Sequence, residues 1–202
     1  MEDVFECING EKYGTSFLSG ALGRRVAGTR VTIVDDGTIP GGFGTTPFDG
    51  EGVRTRRTAV IENGVLRSCL LNISSAKRLG LSTTGSASRG LAGRPGIGPN
   101  NFFFLPGDKS AMQIIGEVRE GLYVTEFLGA KANIATGAFS RGAAGFWIKS
   151  GALSFPVSDI EISGNLKDML LEISEIGCDL IFRGAVASPT IRIDGCTVRA
   201  QS

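Results

Sequence analysis

Apolar residues in this chain come mostly in short runs cut off by glycine, asparagine or serine, and few stretches repeat at helical spacing. One that does is 15–28, where Phe17, Leu18, Ala21, Leu22 and Val26 share a stripe. Thr15 opens it and Gly28 stops it, which predicts a first helix. Residues 31–37 (VTIVDDG) read as a buried strand ending in a turn. Residues 57–61 and 65–71 flank Glu62-Asn63-Gly64, and Asn-Gly between two β-prone runs predicts a tight hairpin. Ser74 or Ser75 caps a short helix to Leu79, closed by Gly80.

Residues 102–105 follow as a strand. Ser110 caps a helix to Glu120 with Met112, Ile115 and Val118 inward and Gly121 at its end. Residues 122–128 predict another strand, and 139–147 with 153–157 a hairpin closed near Lys149-Ser150-Gly151. A short strand at 160–163 leads to a helix capped by Asn165, running to Glu175 with Leu166, Met169, Leu170 and Ile173 apolar. Residues 190–193 and 197–199 form a last hairpin around Asp194-Gly195. Many short strands joined by hairpins, with three or four short helices, predict an α+β fold dominated by antiparallel sheet.

Two glycine-rich gaps interrupt this pattern. Residues 38–52 (TIPGGFGTTPFDGEG) make a loop longer than a connector needs, and such loops are often functional. Residues 82–101 hold five glycines between Gly85 and Gly98 and read as the most mobile segment. The chain has 30 glycines in 202 residues, about twice the usual share.

Charge narrows the function classes. Lys+Arg 21 against Asp+Glu 20 gives a net charge of +1, so the surface as a whole makes no case for nucleic acid or an anionic membrane. The start, MEDVFECING, is acidic and lacks the apolar core of a secretory signal, and no run is long enough to span a membrane. Cys7, Cys69, Cys178 and Cys196 form no C-x-x-C pair, and reduced thiols in a cytoplasmic protein are the expectation. Cys178 and Cys196 read as small buried hydrophobes. There is no histidine, which excludes a histidine-based zinc site and a Ser-His triad.

The chemistry-bearing stretch is the second half of the first loop. Thr45, Thr46, Asp49, Arg54 and Arg56 crowd it, and the expectation is that residues 41–57 face a cleft and touch a peptide or a partner subunit. Asp49 and Glu51 have the chemistry of general bases or hard-metal ligands, and the arginines that of a carboxylate clamp. The structural alternative is a turn held by Asp49 with arginines paired locally. No phosphate-loop spacing is present, and Gly85-Ser86-Ala87-Ser88-Arg89-Gly90 is no nucleophile elbow without a histidine partner. The small and aromatic residues of Arg141-Gly142-Ala143-Ala144-Gly145-Phe146-Trp147 read as close backbone packing within a sheet.

Several segments resemble the TldD/TldE family, also called PmbA or "modulator of DNA gyrase" proteins. They are TPFDGEGVRT, IENGVL, SAKRLGLSTTG, GLYVTEFLG, TGAFSRGAAGFWIKSG, PVSDIEISGNLKDML and SPTIRIDGCTV, which together run across nearly the whole chain. TPFDGEGVRT and SRGAAGFW resemble the TldE (PmbA) branch more than TldD. The resemblance implies that residues 1–202 are the C-terminal domain of a longer protein whose N-terminal domain is absent here.

In the family the catalytic TldD subunit carries His-Glu-x-x-x-His upstream of this region and a cysteine ligand near the C-terminal end. The nearest cysteine here, Cys178, sits in Ile176-Gly177-Cys178-Asp179, while the ligand position corresponds to the neighbourhood of Arg183-Gly184, which has no thiol. No metal ligand and no catalytic residue is carried over. The resemblance implies a non-catalytic subunit pairing with a TldD-like subunit, where the zinc resides, or with itself as a dimer. The complex would degrade or process unfolded peptides. The alternative it leaves is a catalytic homodimer whose ligands lie upstream, and a third is a protein that modulates gyrase by binding.

Overall fold

The computed structural model describes residues 1–129 and 131–200. The chain opens with helix α1 (Glu2–Ile8), which buries Val4, Cys7 and Ile8 on one side. Strand β1 (Ile33–Asp36) pairs antiparallel with β2 (Arg57–Glu62) and with β6 (Phe102–Phe104). Strand β3 (Val65–Leu66) extends one edge, and β11 (Val186–Ala187) closes the other in parallel with β6. Side chains alternate across this five-stranded sheet. Ile33, Ile61, Phe102 and Phe104 pack with α1 in the main core, while Val34, Phe103 and Ala187 pack on the opposite face.

A second, four-stranded antiparallel sheet has the order β13-β9-β8-β7. It consists of β7 (Glu120–Leu128), β8 (Ala138–Lys149), β9 (Ala152–Asn165) and β13 (Thr197–Ala200). Phe139, Ala143, Ile160, Ile162 and Leu166 form its own small core. Gly145 fulfils the close-packing expectation, since a Cβ there would stand 2.0 Å from the Tyr123 carbonyl oxygen of β7. Two small pairs complete the sheets: β4 (Ala87–Ser88) with β5 (Gly96–Ile97), and β10 (Ile173–Ile176) with β12 (Ile191–Ile193). Helices α2 (Ile73–Leu79), α3 (Ala111–Gly116) and α4 (Leu166–Leu171) are short, so among the described residues the fold is α+β with antiparallel pairing dominant.

Two of the three predicted hairpins form. Asn63 and Gly64 take φ of 48° and 79°, and Ser150 and Gly151 take 50° and 79°, the left-handed conformations that a two-residue hairpin turn demands. Strand 160–163 is not separate but the continuation of β9.

Other expectations are corrected. Residues 15–28 form no helix; they run through turns, with Gly20 and Gly23 at positive φ, and still bury Leu18 and Val26. The apolar stripe was real, but the glycines favour turns over a helix there. Helix α2 is capped by Asn72, not Ser74, and Ser75 completes the reciprocal capping pair. Ser110 does cap α3, yet that helix stops at Gly116 and leaves Met112 exposed while Ile114 and Ile115 are buried. Helix α4 ends at Leu171, and Ile173 belongs to β10. The last two strands do not form a hairpin: β12 pairs with β10 and β13 with β9, so Asp194-Gly195 only turns the chain from one sheet to another. Cys178 is exposed and Cys196 half-buried, so neither is a fully buried hydrophobe.

Candidate functional site

Loop 38–56 packs against the segment 83–89, and each predicted residue in it has a definite place. Asp49 lies at the centre. Its Oδ1 accepts the backbone N–H of Glu51 (2.9 Å) and of Val53 (2.9 Å), and its Oδ2 accepts that of Ala87 (3.0 Å). One carboxylate thus folds the turn and ties it to β4. Gly50 N–H adds a bond to the Ala87 carbonyl, 2.8 Å, and a Cβ on Gly50 would crowd Arg89 Cβ at 3.0 Å. Thr45 Oγ1 donates to the Ile39 carbonyl (2.6 Å) and accepts from Asn101 Nδ2 (3.0 Å); Thr46 Oγ1 donates to the Phe48 carbonyl (3.0 Å). Glu51 Oε2 accepts Ile73 N–H at 2.7 Å, so it supports the first turn of α2.

The arginines behave differently. Arg54 is exposed, and no hydrogen bond or ion pair engages its side chain among the described residues; its backbone lies against Gly85. Arg56 is exposed and donates one Nη2 bond to the Thr83 carbonyl. Thr45, Thr46 and Asp49 are therefore occupied in building the loop, and the two arginines stand on its surface.

Beneath the loop lies a polar cluster that the sequence reading passed over. Asp35 is fully buried on the main-core side of β1, where the apolar face ends. It accepts Asn100 N–H at 2.8 Å and Asn100 Nδ2 at 2.9 Å, with Ser86 Oγ more distant at 3.5 Å. Burial, opposed in part by these donors, raises its carboxyl to about 6. Asp36 points to the other face, taking the Thr38 N–H (2.8 Å) and hydroxyl (2.6 Å). Asn101 is also fully buried; its Nδ2 donates to the Asp36 carbonyl at 2.6 Å, and its Oδ1 accepts Gly44 N–H at 3.0 Å. The available signal was two acids inside a run that otherwise reads as a buried strand, followed far along the chain by Asn100-Asn101. Gly44 fits only because it lacks a side chain: a Cβ would fall 1.8 Å from the Asn100 carbonyl oxygen.

Among known proteins, the family model described as the PmbA/TldA metallopeptidase C-terminal domain matches residues 2–200. The chain belongs to this family. The Metalloprotease PmbA of Escherichia coli O157:H7 is 39% identical over 186 residues, covering 90% of this chain and 39% of that protein. A protein named Metalloprotease from Methanothermobacter thermautotrophicus is 38% identical over 167 residues, covering 82% of this chain and 37% of its own length. A solved Thermotoga maritima structure, described as a candidate modulator of a DNA gyrase, superposes with TM-score 0.90 at 36% identity, over 98% of this chain and 46% of that one. TldE from Thermococcus kodakarensis gives 0.88 at 28% identity, over 96% and 46%. This chain thus spans about two fifths of the curated PmbA-type relatives.

A metallopeptidase family implies a metal, and the donors of this PmbA/TldD-type domain can be tested against one. The sequence has no histidine, and among the described residues no group of three or more His, Cys, Asp or Glu stands together. Cys7 and Cys69 are buried, and burial pushes both thiols up to about 12, far from the thiolate that zinc binds. Asp35, Asp36 and Asp49 already accept protein N–H groups or hydroxyls. These residues do not fit a zinc site. Among the described residues no helix is long and apolar enough to cross a membrane.

Proposed function

We propose that this chain is the C-terminal domain of a TldE-type, non-catalytic subunit that works with a TldD-like metalloprotease subunit, which carries the zinc, in the cytoplasm. The complex degrades or processes unfolded peptides. The observation that carries this reading is the donor set: a member of a metallopeptidase family whose own residues do not suit zinc. On this reading, the surface of loop 41–57 faces the cleft shared with the partner. Arg54 and Arg56 bind extended peptide or partner by hydrogen bonds without proton transfer, while Thr45, Thr46 and Asp49 hold the loop in shape. Backbone pairing at the sheet edges supplies the sequence tolerance that unfolded substrates need.

Reconstitution with a TldD-like partner tests this. Cleavage of an unfolded peptide is expected to require both subunits, with stoichiometric zinc only in the partner. Arg54→Ala and Arg56→Ala are expected to lower cleavage with the domain's thermal midpoint within a few degrees. Full activity in both variants would remove the loop from the site, and one tightly bound zinc on this chain would overturn the subunit assignment.

One observation favours a second reading. The curated relatives named metalloproteases extend far beyond the matched part, so metal ligands supplied by that remainder would make a catalytic homodimer. Zinc and activity in a full-length protein without a partner would decide for it. Gyrase modulation by binding gains nothing from a net charge of +1.

A further inference from the structure

The seam between loop 46–56 and segment 83–89 separates its charges by sign. Its acids face inward: Asp49 accepts three backbone N–H groups, Glu51 accepts the Ile73 N–H, and Asp35 accepts from Asn100. Its arginines face outward. Arg54 and Arg89 are exposed with no ion pair among the described residues, as is Arg94 just beyond the seam, and Arg56 is exposed with one guanidinium bond to the Thr83 carbonyl. Arg56 stands at residue 83, Arg54 lies against Gly85, and Arg89 closes the row beside Gly50. Two aromatic side chains on the same loop, Phe43 and Phe48, are 66% and 58% exposed.

We infer that this seam is a binding strip for extended peptides bearing acidic side chains, engaged by Arg54, Arg56 and Arg89. The inference rests on the peptide-contact reading of loop 41–57 and adds the class of peptide selected. Three considerations carry it. Acids held by backbone amides cannot swing out to neutralise the arginines, so the row keeps its charge complementarity for a ligand. An exposed arginine–carboxylate pair is worth roughly a twofold gain, so three in a row give about tenfold while any one alone gives little. The row runs along segment 83–89, whose contour is at most about 20 Å, and one terminal carboxylate engages one guanidinium fork, not three. An extended peptide presents alternate side chains to one face about 7 Å apart, which suits a row of this length. A nucleic-acid footprint commonly neutralises about 6–10 phosphates and draws on a strongly basic surface. Four arginines on a chain of net charge +1 fall short of that.

Fluorescence anisotropy with this chain alone tests the inference, because it needs no protease. The probes are labelled unfolded peptides of equal length with amidated ends, carrying either alternate Glu or alternate Gln. The Glu peptide is expected to bind about tenfold tighter at low salt, with the preference shrinking at physiological ionic strength. Arg54→Gln with Arg89→Gln is expected to abolish the preference at an unchanged thermal midpoint. The charge-reversed pair Arg54→Glu with Arg89→Glu is expected to prefer an alternate-Lys peptide instead, a gain that misfolding cannot mimic. Equal binding of the Glu and Gln peptides would overturn the inference. So would a preference that survives both pairs of substitutions, a Gln peptide with a free C-terminal carboxylate matching the Glu peptide, or a single-stranded oligonucleotide binding as tightly. Failure of partner reconstitution leaves the acidic preference standing, and loss of the preference leaves peptide cleavage standing, so the two readings fail separately.

Discussion

The two large sheets are built on different physics. In the five-stranded sheet every residue of β1 and of β6 is buried, and the strands are only four and three residues long. In the four-stranded sheet β7 is nine residues long without one fully buried, and β9 is fourteen residues long with only Ile160 and Ile162 fully buried. The first sheet is held by what its side chains displace from water, and its short strands need no length. The second is held by long ladders and close approaches such as Gly145 against Tyr123, and it presents Phe127, Leu128, Phe146, Leu153 and Phe155 to solvent. Burial thus marks where the fold is decided, and exposed apolar surface marks where the molecule has something left to bind.

The sharpest way to break this contrast is Phe102→Ala. Phe102 is fully buried and meets Phe5 edge-on, so its truncation is expected to cost about 3–5 kcal/mol, read by urea titration. A loss below 1 kcal/mol would mean that this sheet is not the core. Next comes Asp49→Ala, expected to cost about 2 kcal/mol because three backbone donors lose their acceptor, and to hasten proteolysis within 38–56.

The Asp35 carboxyl sharpens the contrast from inside the core sheet. Its proton is held more tightly folded, to about 6, than the ordinary 3.8, so it favours the fold below about pH 4. That contribution fades as pH rises through 6. Between pH 5 and pH 7 the wild type is expected to lose about 1 kcal/mol on this account, and Asp35→Asn to remove that slope whatever its absolute stability. Parallel slopes in the two proteins would place the titration elsewhere.

The smallest effect on folding is expected from Phe155→Ser in the open sheet, within about 0.5 kcal/mol. The same change is expected to weaken association, which light scattering of the domain at high concentration reads directly. A strict monomer in the wild type would leave that surface without a subunit role.

What was legible in the sequence follows the same division. Local signals carried far: the Asn63-Gly64 and Ser150-Gly151 turns, the Ser110 cap and the strand at Phe102 were readable because each depends on a few neighbouring residues. Which aromatic residues stay in solvent was not legible: Phe102, Phe103 and Phe104 are buried, while Phe146 is exposed. Tertiary context was not legible. The stripe from Phe17 to Val26 packs on the core without a helix, and the strands around Asp194-Gly195 join different sheets through partners remote from that turn. The loop's crowding of Thr45, Thr46, Asp49, Arg54 and Arg56 was visible, but which side chains build it and which remain outward depends on Ala87, Asn101 and Thr83, partners remote in sequence. Asp35 escaped notice because the asparagine that holds it, Asn100, lies 65 residues away at the far end of the second loop.

The parallel pairing of β11 with β6 also bears on synthesis, because it joins strands far apart in the chain. Val186 must reach Phe102, which also pairs with Asp35, before the buried sheet is complete. A chain leaving the ribosome therefore carries its most apolar strands unfinished until nearly all of it has emerged. Contacts this distant in sequence are slow to close, so the nascent domain is expected to depend on protection from aggregation during that interval.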